Sequence, residues 1–449
     1  MTKINLPNEV LEIFDVIKEY GSEAYVVGGC VRDSLLGRKI NDWDICTPVP
    51  AAELKVFFEE NGYRVIETGL KHGTITVMAN GVGYEITTYR RDGDYSDGRH
   101  PDHVEFTSDL EEDLSRRDFT MNAIAYNPDA GFVDPFCGIE DINDLTIRCV
   151  GNPYNRFNED GLRIMRAIRF SVQLGFELEE FTRKAAFELK ENLKSISFER
   201  INSELCKILI SNNPGELIFL YQDIFTQIVP EFISCIRFKQ NNPYHKYPVD
   251  IHIAATLAAD KSNDLIVRLA LLFHDIGKPY CYQDDENSIR HFRGHGEMSF
   301  YMTDKIMKRL RFDNDTRNKV TELVKYHDAT IEVGKKYVRR WLNILGEEQF
   351  RRLLLVRTAD INGQSDLNRT ERLNKIKEIE NILEEVLSAN ECFSLKDLKI
   401  NGNDLIKLDI TEGKTIGLIL SALLNMVING EIENEYKILT DASLEIELN

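Results

Sequence analysis

Two aspartates, Asp42 and Asp44, flank Trp43 in the segment NDWDIC, and their spacing indicates chemistry. If this segment is a strand, residues two positions apart point to the same face. Two neighbouring carboxylates repel each other, and a cation between them removes the repulsion. Mg²⁺ held by carboxylates and substrate phosphates suits phosphoryl transfer, where metal ions activate the attacking oxygen and stabilise the leaving one. Glu85, in the strand-like segment YEITTYR, is a candidate third carboxylate.

A glycine pair, Gly28 and Gly29, follows the apolar run AYVV and precedes a helix predicted from about Val31. Glycines at a strand-to-helix turn let a ligand approach the backbone closely, and the N-terminus of a helix attracts phosphate. Arg32 adds a fixed positive charge. A glycine pair alone is usually a simple turn, and a DxD motif alone usually lies in a solvated loop. Their combination in this order predicts a nucleotide-binding site with a bound metal.

Four charged residues recur every three positions in the segment EDGLRIMRAIRF: Asp160, Arg163, Arg166 and Arg169. On one helix they would form a stripe. The plain alternative is a solvated charged face, but the apolar residues between them already provide a side for the core. Cytosine and adenine each present an amino donor beside a ring-nitrogen acceptor, so a carboxylate and a guanidinium together can recognise both. Uracil and guanine present the reverse pattern, which makes Asp160 with Arg163 a candidate pair for selecting C and A.

A further set of residues in the second half of the chain combines imidazole and carboxylate groups. They are His252, His274, Asp275, His295, His327 and Asp360. The His-Asp dipeptide in LALLFHDIGKP ends an apolar stretch that is predicted to be a helix. Neutral imidazole with carboxylate suits first-row divalent metals, and this many ligands could hold two ions. The alternative is a relic fold whose histidines cap helices or form hydrogen bonds in the core.

The segments around these residues predict a fold of class α+β. Residues 1 to about 150 alternate short β-branched runs with helical stretches, which predicts a mixed sheet of about five strands. From residue 158 onward nearly every block has the periodicity of an amphipathic helix. We expect an α/β head domain (1–150), a helical neck with the selecting pair (151–215), a helical body with the His/Asp set (216–375) and a helical tail (376–449).

The composition is that of a globular chain: 449 residues, 43% hydrophobic and 29% charged. No run of about 18 apolar residues occurs, so we expect no membrane span. Acidic residues inside the first apolar stretch argue against a signal peptide. The eight cysteines include no CxxC pair, and we expect reduced thiols in a cytoplasmic protein.

The formal net charge of −19 argues, taken alone, against a nucleic-acid partner. The charge is uneven, however, because residues 300–352 hold 13 Lys and Arg against 8 Asp and Glu, while residues 401–449 hold 3 against 9. The acidity therefore does not exclude RNA. It predicts weak non-specific binding through a few basic strips.

The nucleotidyltransferase domain of bacterial CCA-adding enzymes and class II poly(A) polymerases has a signature that resembles GGCVRDSLLGRKINDWDICT. Four further segments resemble motifs of that family in the same order: RRDFTMNAIAYN, DPFCGIEDI, NEDGLRIMRAIRF and FERINSELCKIL. Together these motifs cover most of residues 24–209.

The resemblance implies roles for particular residues. Asp42 and Asp44 would bind the catalytic Mg²⁺, with Glu85 as a third acid. A larger set would bind the nucleotide: Gly28, Gly29, Arg32, Arg117, Asp160, Arg163, Arg166 and Arg169. Within that set Asp160 and Arg163 would be the protein template, with Glu159 as a positioning neighbour.

By that resemblance the chain would be a tRNA nucleotidyltransferase that adds C, C and A to the 3′ end of tRNA from CTP and ATP and releases pyrophosphate. The long loop 91–114 favours an enzyme that can add A, because members that add only C lack much of it. A poly(A) polymerase or an A-adding enzyme of the same family is the alternative. The tail, 376–449, resembles the tRNA-binding part of related enzymes, and the oligomeric state is left open.

The segment around His274 and Asp275 resembles the HD phosphohydrolase superfamily. This resemblance implies a divalent transition metal and hydrolysis of phosphomonoesters or cyclic phosphates. A rival hypothesis is therefore a metal-dependent phosphohydrolase whose N-terminal half is a regulator. A non-catalytic RNA-binding module is a third hypothesis, and the intact DWD motif argues against it.

Overall fold

The computed structural model describes residues 3–93, 104–410 and 412–446, so the predicted loop 91–114 lies partly outside the described residues. The chain forms two compact units. Unit 1 comprises residues 1–213 and 221–230, and unit 2 comprises residues 214–220 and 231–449. The finer division into head, neck, body and tail stays a prediction.

The first part of unit 1 is built on a sheet. Its strands are β1 (Tyr25–Val27), β2 (Ile45–Thr47), β3 (Arg64–Gly69), β4 (Thr74–Ala79), β5 (Val82–Thr88), β6 (Arg90–Asp92), β7 (Val104–Phe106), β8 (Ala125–Asn127) and β9 (Gly131–Val133). Its helices are α1 (Asn8–Glu19), α2 (Gly29–Leu35), α3 (Ala51–Glu60), α4 (Leu110–Ser115) and α5 (Gly138–Asn143). Seven strands form one mixed sheet in the order β3-β4-β5-β2-β1-β8-β9, and β6 pairs with β7 in a separate ribbon.

The mixed α+β class is confirmed, although the main sheet has seven strands where the sequence predicts about five. The difference comes from β8 and β9, which have three residues each. Three residues are too few for an alternating pattern to be recognised in the sequence. Pairing with β1 and burial stabilise β8 although its sequence pattern is weak.

The centre of the sheet places the glycine pair beside the aspartates. β1 is antiparallel to β2, so the end of β1 lies opposite the start of β2. The backbone N–H of Val27 donates to the carbonyl oxygen of Asp44 at 3.0 Å, and that of Gly28 donates to the carbonyl oxygen of Ile124 at 3.2 Å. Both β1 and β2 are buried along their whole length. Burial of these apolar strands therefore holds the glycine turn next to the aspartates.

The rest of unit 1 is mainly helical. It contains α6 (Pro153–Glu159), α7 (Leu162–Leu174), α8 (Glu180–Glu188), α9 (Phe198–Leu209) and a parallel pair of short strands, β10 (Thr146–Ile147) and β11 (Glu177–Leu178). α7 packs against α9 and ends at Gly175, whose φ of 72° is the left-handed conformation that favours glycine after a helix. The next helix, α10 (Glu216–Ile228), bends at Tyr221.

The predicted stripe of charged residues begins at Arg163 and not at Asp160. Asp160 is extended, with φ −144° and ψ 105°, between α6 and α7. Its carboxylate accepts a hydrogen bond from the backbone N–H of Leu162 at 3.0 Å. The prediction of one continuous helix across this segment is therefore wrong, because the short side chain of Asp160 satisfies a free N–H group at the start of α7.

Unit 2 consists, in its described residues, of helices and a short hairpin. The hairpin strands are β12 (Gln283–Asp284) and β13 (Arg290–His291). The helices are α11 (Val249–Ala259), α12 (Leu265–Phe273), α13 (His295–Arg309), α14 (Asn314–Tyr326), α15 (Lys335–Gly363), α16 (Arg369–Ser388), α17 (Gly402–Ile406), α18 (Gly413–Asn429) and α19 (Tyr436–Glu445). α11 and α12 pack against each other and against α15, and α14 packs against α12 and α13. No described helix is long and apolar enough to cross a membrane.

Candidate active site and candidate metal centre

A cavity of about 720 Å³ lies in unit 1. It is lined by nine of the residues predicted from the sequence: Gly28, Gly29, Arg32, Asp44, Arg117, Asp160, Arg163, Arg166 and Arg169. Further lining side chains include those of Arg116, Asp118, Asn122, Phe170 and Arg200. The structure thus brings the glycine turn, a candidate catalytic aspartate and the C- and A-selecting pair to one space.

Asp42 and Asp44 lie immediately before β2, whereas the sequence predicts them within a strand. Both residues are exposed, Asp44 at the cavity. Partial desolvation raises the pKa of Asp44, the Arg117 guanidinium lowers it, and the Asp42 carboxylate raises it, with a net upward shift. A carboxylate whose pKa is raised in this way, beside a second carboxylate, gains from a nearby cation. This pair of oxygen donors therefore fits Mg²⁺, which prefers carboxylate ligands.

Glu85 lies on β5, which runs parallel to β2 with Ile86 opposite Ile45. This register places Glu85 on the strand next to Asp44. Its side chain is exposed and does not line the cavity. Within the described part of the chain, Asp42, Asp44 and Glu85 do not form a set whose ligand atoms lie within 4.8 Å of one another. The role of Glu85 as a third carboxylate stays a prediction.

Gly28 forms a turn that requires glycine. Its φ is +83°, and a Cβ atom at this position would lie 3.0 Å from Nη1 of Arg117. The missing side chain lets Arg117 lie against the backbone at the cavity wall. Arg117 is anchored by Asp113, with Nη2 and Oδ2 3.3 Å apart. Burial would raise the pKa of Asp113, but Arg117 and Arg116 outweigh this effect and lower it.

A hydrogen-bond network fixes Arg32 in the cavity. Its Nε and Nη2 donate to the Asp33 carboxylate at 3.0 and 2.9 Å, and its Nη1 donates to Oδ1 of Asn122 at 2.7 Å. Asn122 donates to Asp118 at 3.0 Å, and Nε of Arg166 donates to the same carboxylate at 2.7 Å. Burial would raise the pKa of Asp118, but Arg166 and Asn122 lower it to about 2. The ionised Asp118 therefore links the arginine of α2 to that of α7.

Asp160 and Arg163, the predicted selecting pair, are both held by neighbouring side chains. The Asp160 carboxylate accepts hydrogen bonds from Nη2 and Nη1 of Arg200 at 2.7 and 3.3 Å. Nη1 of Arg163 lies 2.5 Å from the Glu159 carboxylate, and Nη2 donates to the carbonyl oxygen of Arg116 at 3.3 Å. Glu159 thus contacts Arg163, and its positioning role stays a prediction. Both members of the pair are oriented before a base binds.

Asn122 and Arg200 are site residues that the sequence analysis did not single out. Both lie inside segments that resemble family motifs, TMN and FERIN. Their contribution becomes visible through hydrogen bonds to residues far away in the chain, Asn122 to Arg32 and Arg200 to Asp160. The motifs themselves were the available signal, because a polar residue within a matched motif needs a partner when it is buried.

All six residues of the predicted His/Asp set come together in unit 2. They lie on α11 (His252), directly after α12 (His274 and Asp275), at the start of α13 (His295), directly after α14 (His327) and on α15 (Asp360). Two groups of ligand atoms converge, one from His252, His274 and Asp275 and one from Asp275, His295 and His327. Asp275 belongs to both groups.

Asp275 lies at the centre of this cluster. Its Oδ2 is 3.2 Å from Nε2 of His252 and 3.3 Å from Nε2 of His274. Its Oδ1 is 3.4 Å from Nε2 of His295 and 3.5 Å from Nε2 of His327. Both oxygens are buried, and neither has hydrogen-bond geometry with any described residue. One carboxylate between two pairs of imidazoles suits two bridged cations.

Main-chain carbonyl groups set the tautomer of the four histidines. Nδ1 of His252, His274, His295 and His327 contacts, in that order, the carbonyl oxygens of Gly363, Leu271, Phe292 and Val324, at 3.2, 2.8, 2.7 and 2.7 Å. A carbonyl oxygen accepts and cannot donate, so Nδ1 carries a proton and Nε2 of each neutral ring keeps a lone pair. The Nε2 atoms of His252 and His274 are 3.2 Å apart, and those of His295 and His327 are 3.0 Å apart. Lone pairs at these distances repel unless a proton or a metal ion lies between them.

The charges of the cluster also favour a bound cation. Burial would lower the pKa of His252, but the carboxylates of Asp275 and Asp360 outweigh it and raise the pKa to about 9. Oδ1 of Asp360 lies 3.0 Å from Nε2 of His252. The Lys278 ammonium lies 2.6 Å from Oδ2 of Asp275 and donates to Gln240, so it supplies one positive charge at the edge of the cluster. The donor set fits divalent metal, and the identity and number of ions stay predictions.

Family models match three parts of the chain and indicate a nucleotidyltransferase. Residues 24–148 match the Poly A polymerase head domain, residues 175–235 match the probable RNA and SrmB-binding site of polymerase A, and residues 297–442 match the putative domain 2 of tRNA nucleotidyltransferase. The protein is therefore an enzyme of the nucleotidyltransferase class, as predicted.

Full-length relatives specify the family. The chain is 32% identical over 447 residues to the CCA-adding enzyme of Enterococcus faecalis, covering 98% of this chain and 97% of that protein. It is 41% identical over 271 residues to the CCA-adding enzyme of Lactobacillus helveticus, covering 60% of this chain and 65% of that protein. The crystal structure of the Bacillus stearothermophilus CCA-adding enzyme in complex with CTP is similar with a TM-score of 0.70 at 28% identity, over 98% of this chain and 96% of that one. The chain belongs to the CCA-adding enzyme family.

Proposed function

We propose that the chain adds C, C and A to the 3′ end of tRNA from CTP and ATP, without a nucleic-acid template, and releases pyrophosphate. The observation that carries this proposal is that Asp44, the glycine turn and the Asp160–Arg163 pair line one cavity of about 720 Å³. A cavity of this size can hold a nucleoside triphosphate. The Bacillus stearothermophilus relative, which shares this fold, was crystallised with CTP.

Fixed charges in the cavity would bind the triphosphate and stabilise the charge that develops on it. Asp42 and Asp44 would hold Mg²⁺, which when bound activates the terminal hydroxyl of tRNA and stabilises charge on the phosphates. Arg32 and Arg117 would bind the triphosphate beside the glycine turn. Because hydrogen bonds to Asn122, Asp33 and Asp113 already orient these arginines, they need little rearrangement as charge develops on pyrophosphate.

The selecting pair would recognise the incoming base. The Asp160 carboxylate would accept from the exocyclic amino group of cytosine or adenine, and Arg163 would donate to the neighbouring ring nitrogen. Uracil and guanine would leave both side chains without their hydrogen bonds, which costs binding energy in a buried site. A pair that reads the pattern common to C and A explains how one site could use both CTP and ATP.

The tRNA body and the place of action belong to the same proposal. Residues 376–449 are the proposed tRNA-binding tail, and α17 to α19 there share a hydrophobic core that can hold such a surface in shape. All eight cysteines are free thiols, which supports a cytoplasmic location.

The proposal is tested by replacing Asp44. A tRNA that lacks its last three residues is incubated with single nucleotides, and its 3′ ends are sequenced. Wild-type protein is expected to add two C from CTP and then one A from ATP. Asp44→Asn should reduce CTP incorporation by about a thousandfold, because several kcal/mol of charge stabilisation are lost.

Asp129→Asn is the matched control. Asp129 is an exposed aspartate of unit 1 whose carboxylate pairs with Lys18, and its replacement should leave incorporation unchanged. Full incorporation by Asp44→Asn would refute the proposed active site. Addition of many A residues by wild-type protein would instead identify a poly(A) polymerase.

We propose a second activity for unit 2, a metal-dependent phosphohydrolase centre at the His/Asp cluster. The observation in its favour is that Asp275 presents two buried oxygens to four Nε2 atoms of rings whose Nδ1 atoms contact main-chain carbonyl oxygens. A divalent transition metal bound there would supply a nucleophile from water near neutral pH. His252, His274 and Asp360 would hold one ion, and His295 and His327 another, with Asp275 between them. Phosphomonoesters and cyclic phosphates are the proposed substrates.

Metal analysis and hydrolysis assays test the second activity together. Wild-type protein should retain metal after gel filtration and hydrolyse a 2′,3′-cyclic nucleotide or p-nitrophenyl phosphate. His274→Ala should lose at least half of the metal and roughly all of the hydrolysis, because a removed ligand typically weakens affinity by 10-fold or more. CTP incorporation should persist.

His291→Ala is the control for that variant. His291 is an exposed histidine of the same unit that pairs with Asp285, outside the cluster. It should keep both metal and hydrolysis. If the wild-type protein binds no metal at micromolar concentrations, the proposal of a second activity fails and the cluster is a relic of such a site.

A further inference from the structure

Three arginine side chains surround a single aromatic ring in the unit 1 cavity. The guanidinium carbon of Arg169 lies 3.9 Å from the ring centre of Phe170, that of Arg32 lies 4.8 Å away, and that of Arg166 lies 5.6 Å away. Phe170 is 3% exposed and lines the cavity with all three arginines. Arg32 comes from α2, whereas the other two come from α7, so the ring joins charges from two elements.

Each of the three arginines also has its own acid. Arg32 pairs with Asp33, Arg166 pairs with Asp118, and Arg169 pairs with Glu204 at 2.9, 2.5 and 2.5 Å. These hydrogen bonds occupy one edge of each guanidinium group. Within the described residues, one terminal nitrogen of Arg166 (Nη1) and one of Arg169 (Nη2) make no hydrogen bond to protein.

Burial and a neighbouring cation both act on one of the three arginines, Arg169. Burial lowers the pKa of Arg169, Glu204 raises it and Arg166 lowers it, with a net downward shift. The face of an aromatic ring carries partial negative charge and attracts guanidinium groups. The three carboxylates neutralise part of the repulsion among the guanidinium groups. The ring of Phe170 therefore offsets part of the repulsion that remains.

The orientation of the ring is fixed by the head domain. Phe119 packs against Phe170 edge to face, with ring centres 5.8 Å apart and an interplanar angle of 85°. Phe119 is fully buried. A ring held in this way has little freedom to turn its edge, which carries partial positive charge, toward the arginines.

We propose that Phe170 is a positioning residue for the triphosphate: its ring holds Arg32, Arg166 and Arg169 together as a preformed anion site before the nucleotide arrives. The inference rests on the proposed function, since it takes the cavity as the triphosphate site. Phe170 acts through the arginines, because its buried ring has no donor for phosphate. A preformed cluster lowers the cost of ordering three long side chains at binding.

Phe170→Leu tests this role, because leucine keeps most of the apolar volume and removes the ring face. The measurement is steady-state CTP and ATP incorporation, together with inhibition by pyrophosphate. We expect the KM for both nucleotides and the Ki for pyrophosphate to rise roughly tenfold, with kcat changed by less than about threefold. Phe170→Tyr keeps the ring face and should restore all three constants to within about threefold of wild type.

Phe157→Leu is the matched control in the neck. Phe157 is fully buried on α6, and no cation lies over its ring among the described residues. Its replacement should lower the thermal unfolding temperature with little change in KM. If Phe157→Leu raises KM as much as Phe170→Leu, or if Phe170→Tyr is as impaired as the leucine variant, packing alone explains the effect and the proposal fails.

A double-mutant cycle isolates the contact between the ring and its nearest cation. Arg169→Gln removes the guanidinium at 3.9 Å, and Phe170→Leu should then raise KM by a factor at least threefold smaller than it does in wild type. If the two substitutions raise KM by independent factors that simply multiply in the double variant, the proposal is overturned. Should Phe170→Leu not fold, Phe170→Met is measured in the same cycle. Failure of the proposed function is separate, since wild-type protein would then incorporate no CTP at all.

Discussion

Single residues in the cavity work as oriented pairs. Asp160 is held by Arg200, and Arg163 is held by Glu159, so the directions of acceptor and donor are set before a base enters. The chemistry of the bases singled out Asp160 and Arg163 in the sequence as a candidate pair, and both line the cavity. Arg200 could not be predicted in this way, because its partner lies 40 positions away and neither spacing nor periodicity connects them.

Replacing Asp160 should change nucleotide choice more than it changes catalysis by the metal site. Asp160→Ala removes the acceptor for the amino group of C and A, so kcat/KM for CTP and ATP should fall roughly 100-fold while UTP use falls much less. The lost hydrogen bond from the backbone N–H of Leu162 should cost about 1 kcal/mol of stability. Single-nucleotide extension of a truncated tRNA measures kcat/KM for CTP, ATP and UTP, and therefore the preference for CTP over UTP and for ATP over UTP. Undiminished discrimination against UTP would contradict the selecting role, and Asp129→Ala should match wild type.

Short elements, more than long ones, position the nucleotide site. The Asp134 carboxylate accepts hydrogen bonds from the backbone N–H groups of Gly138 and Ile139 at 2.7 and 2.9 Å, which caps α5. A Cβ atom on Gly138 would collide with the carbonyl oxygen of Thr120. Thr120 begins the 3₁₀ turn that carries Asn122, the partner of Arg32. The packing of α5 on this turn therefore reaches the triphosphate site.

Gly138→Ala should accordingly destabilise the protein and weaken nucleotide binding. We expect a loss of about 1–3 kcal/mol from overpacking and a several-fold higher KM for CTP through displacement of Asn122. Gly413→Ala is the control, because no heavy atom lies within 4 Å of its Cβ position and the residue begins α18. Urea denaturation and CTP titration measure the two effects. Equal stability of both variants would show that the turn is not sensitive to α5.

Sequence patterns predicted the elements with strong signals and missed those with weak ones. The runs at β1, β3, β4 and β5 were recognisable because they are rich in β-branched and aromatic residues, and the amphipathic helices because their periodicity extends over several turns. β8 and β9 were missed because AYN and GFV form no run of β-branched residues, unlike YVV in the equally short β1. The break at Asp160 was missed because three-residue spacing continues across it. Tertiary pairing, and not local preference, determines these parts.

At the scale of the whole molecule, the two ionisable centres belong to different units. The nucleotide cavity is lined by residues of unit 1, whereas the His/Asp cluster consists of residues of unit 2. The sequence order alone predicted this separation, since the candidate motifs occur in two halves of the chain. It could not predict that Asp275 is shared by both pairs of histidines, because that requires four helices to meet.

Hydrogen exchange should reveal the separation of the two centres. Adding CTP with Mg²⁺ should slow amide exchange in residues 24–209, and removing metal with a chelator in the absence of nucleotide should speed exchange in α11 to α15. Each treatment should leave the other region within about twofold of its starting rates. A chelator effect of equal size in α6 to α9 would contradict this expectation.

The carbonyl groups that hold the four imidazole protons have a consequence for mutational robustness. Every amino acid carries the same main-chain carbonyl, so no single substitution at Gly363, Leu271, Phe292 or Val324 deletes the acceptor. The orientation of the rings is thereby encoded in the paths of the helices and not in additional side chains. Genetic drift can then abolish the centre through its six ligands or through a bulky residue that displaces a helix, as at Gly363, where a Cβ atom would lie 2.6 Å from Cγ2 of Thr256. The orientation of the four rings therefore persists under side-chain replacement at these four acceptor positions for as long as the helices keep their paths.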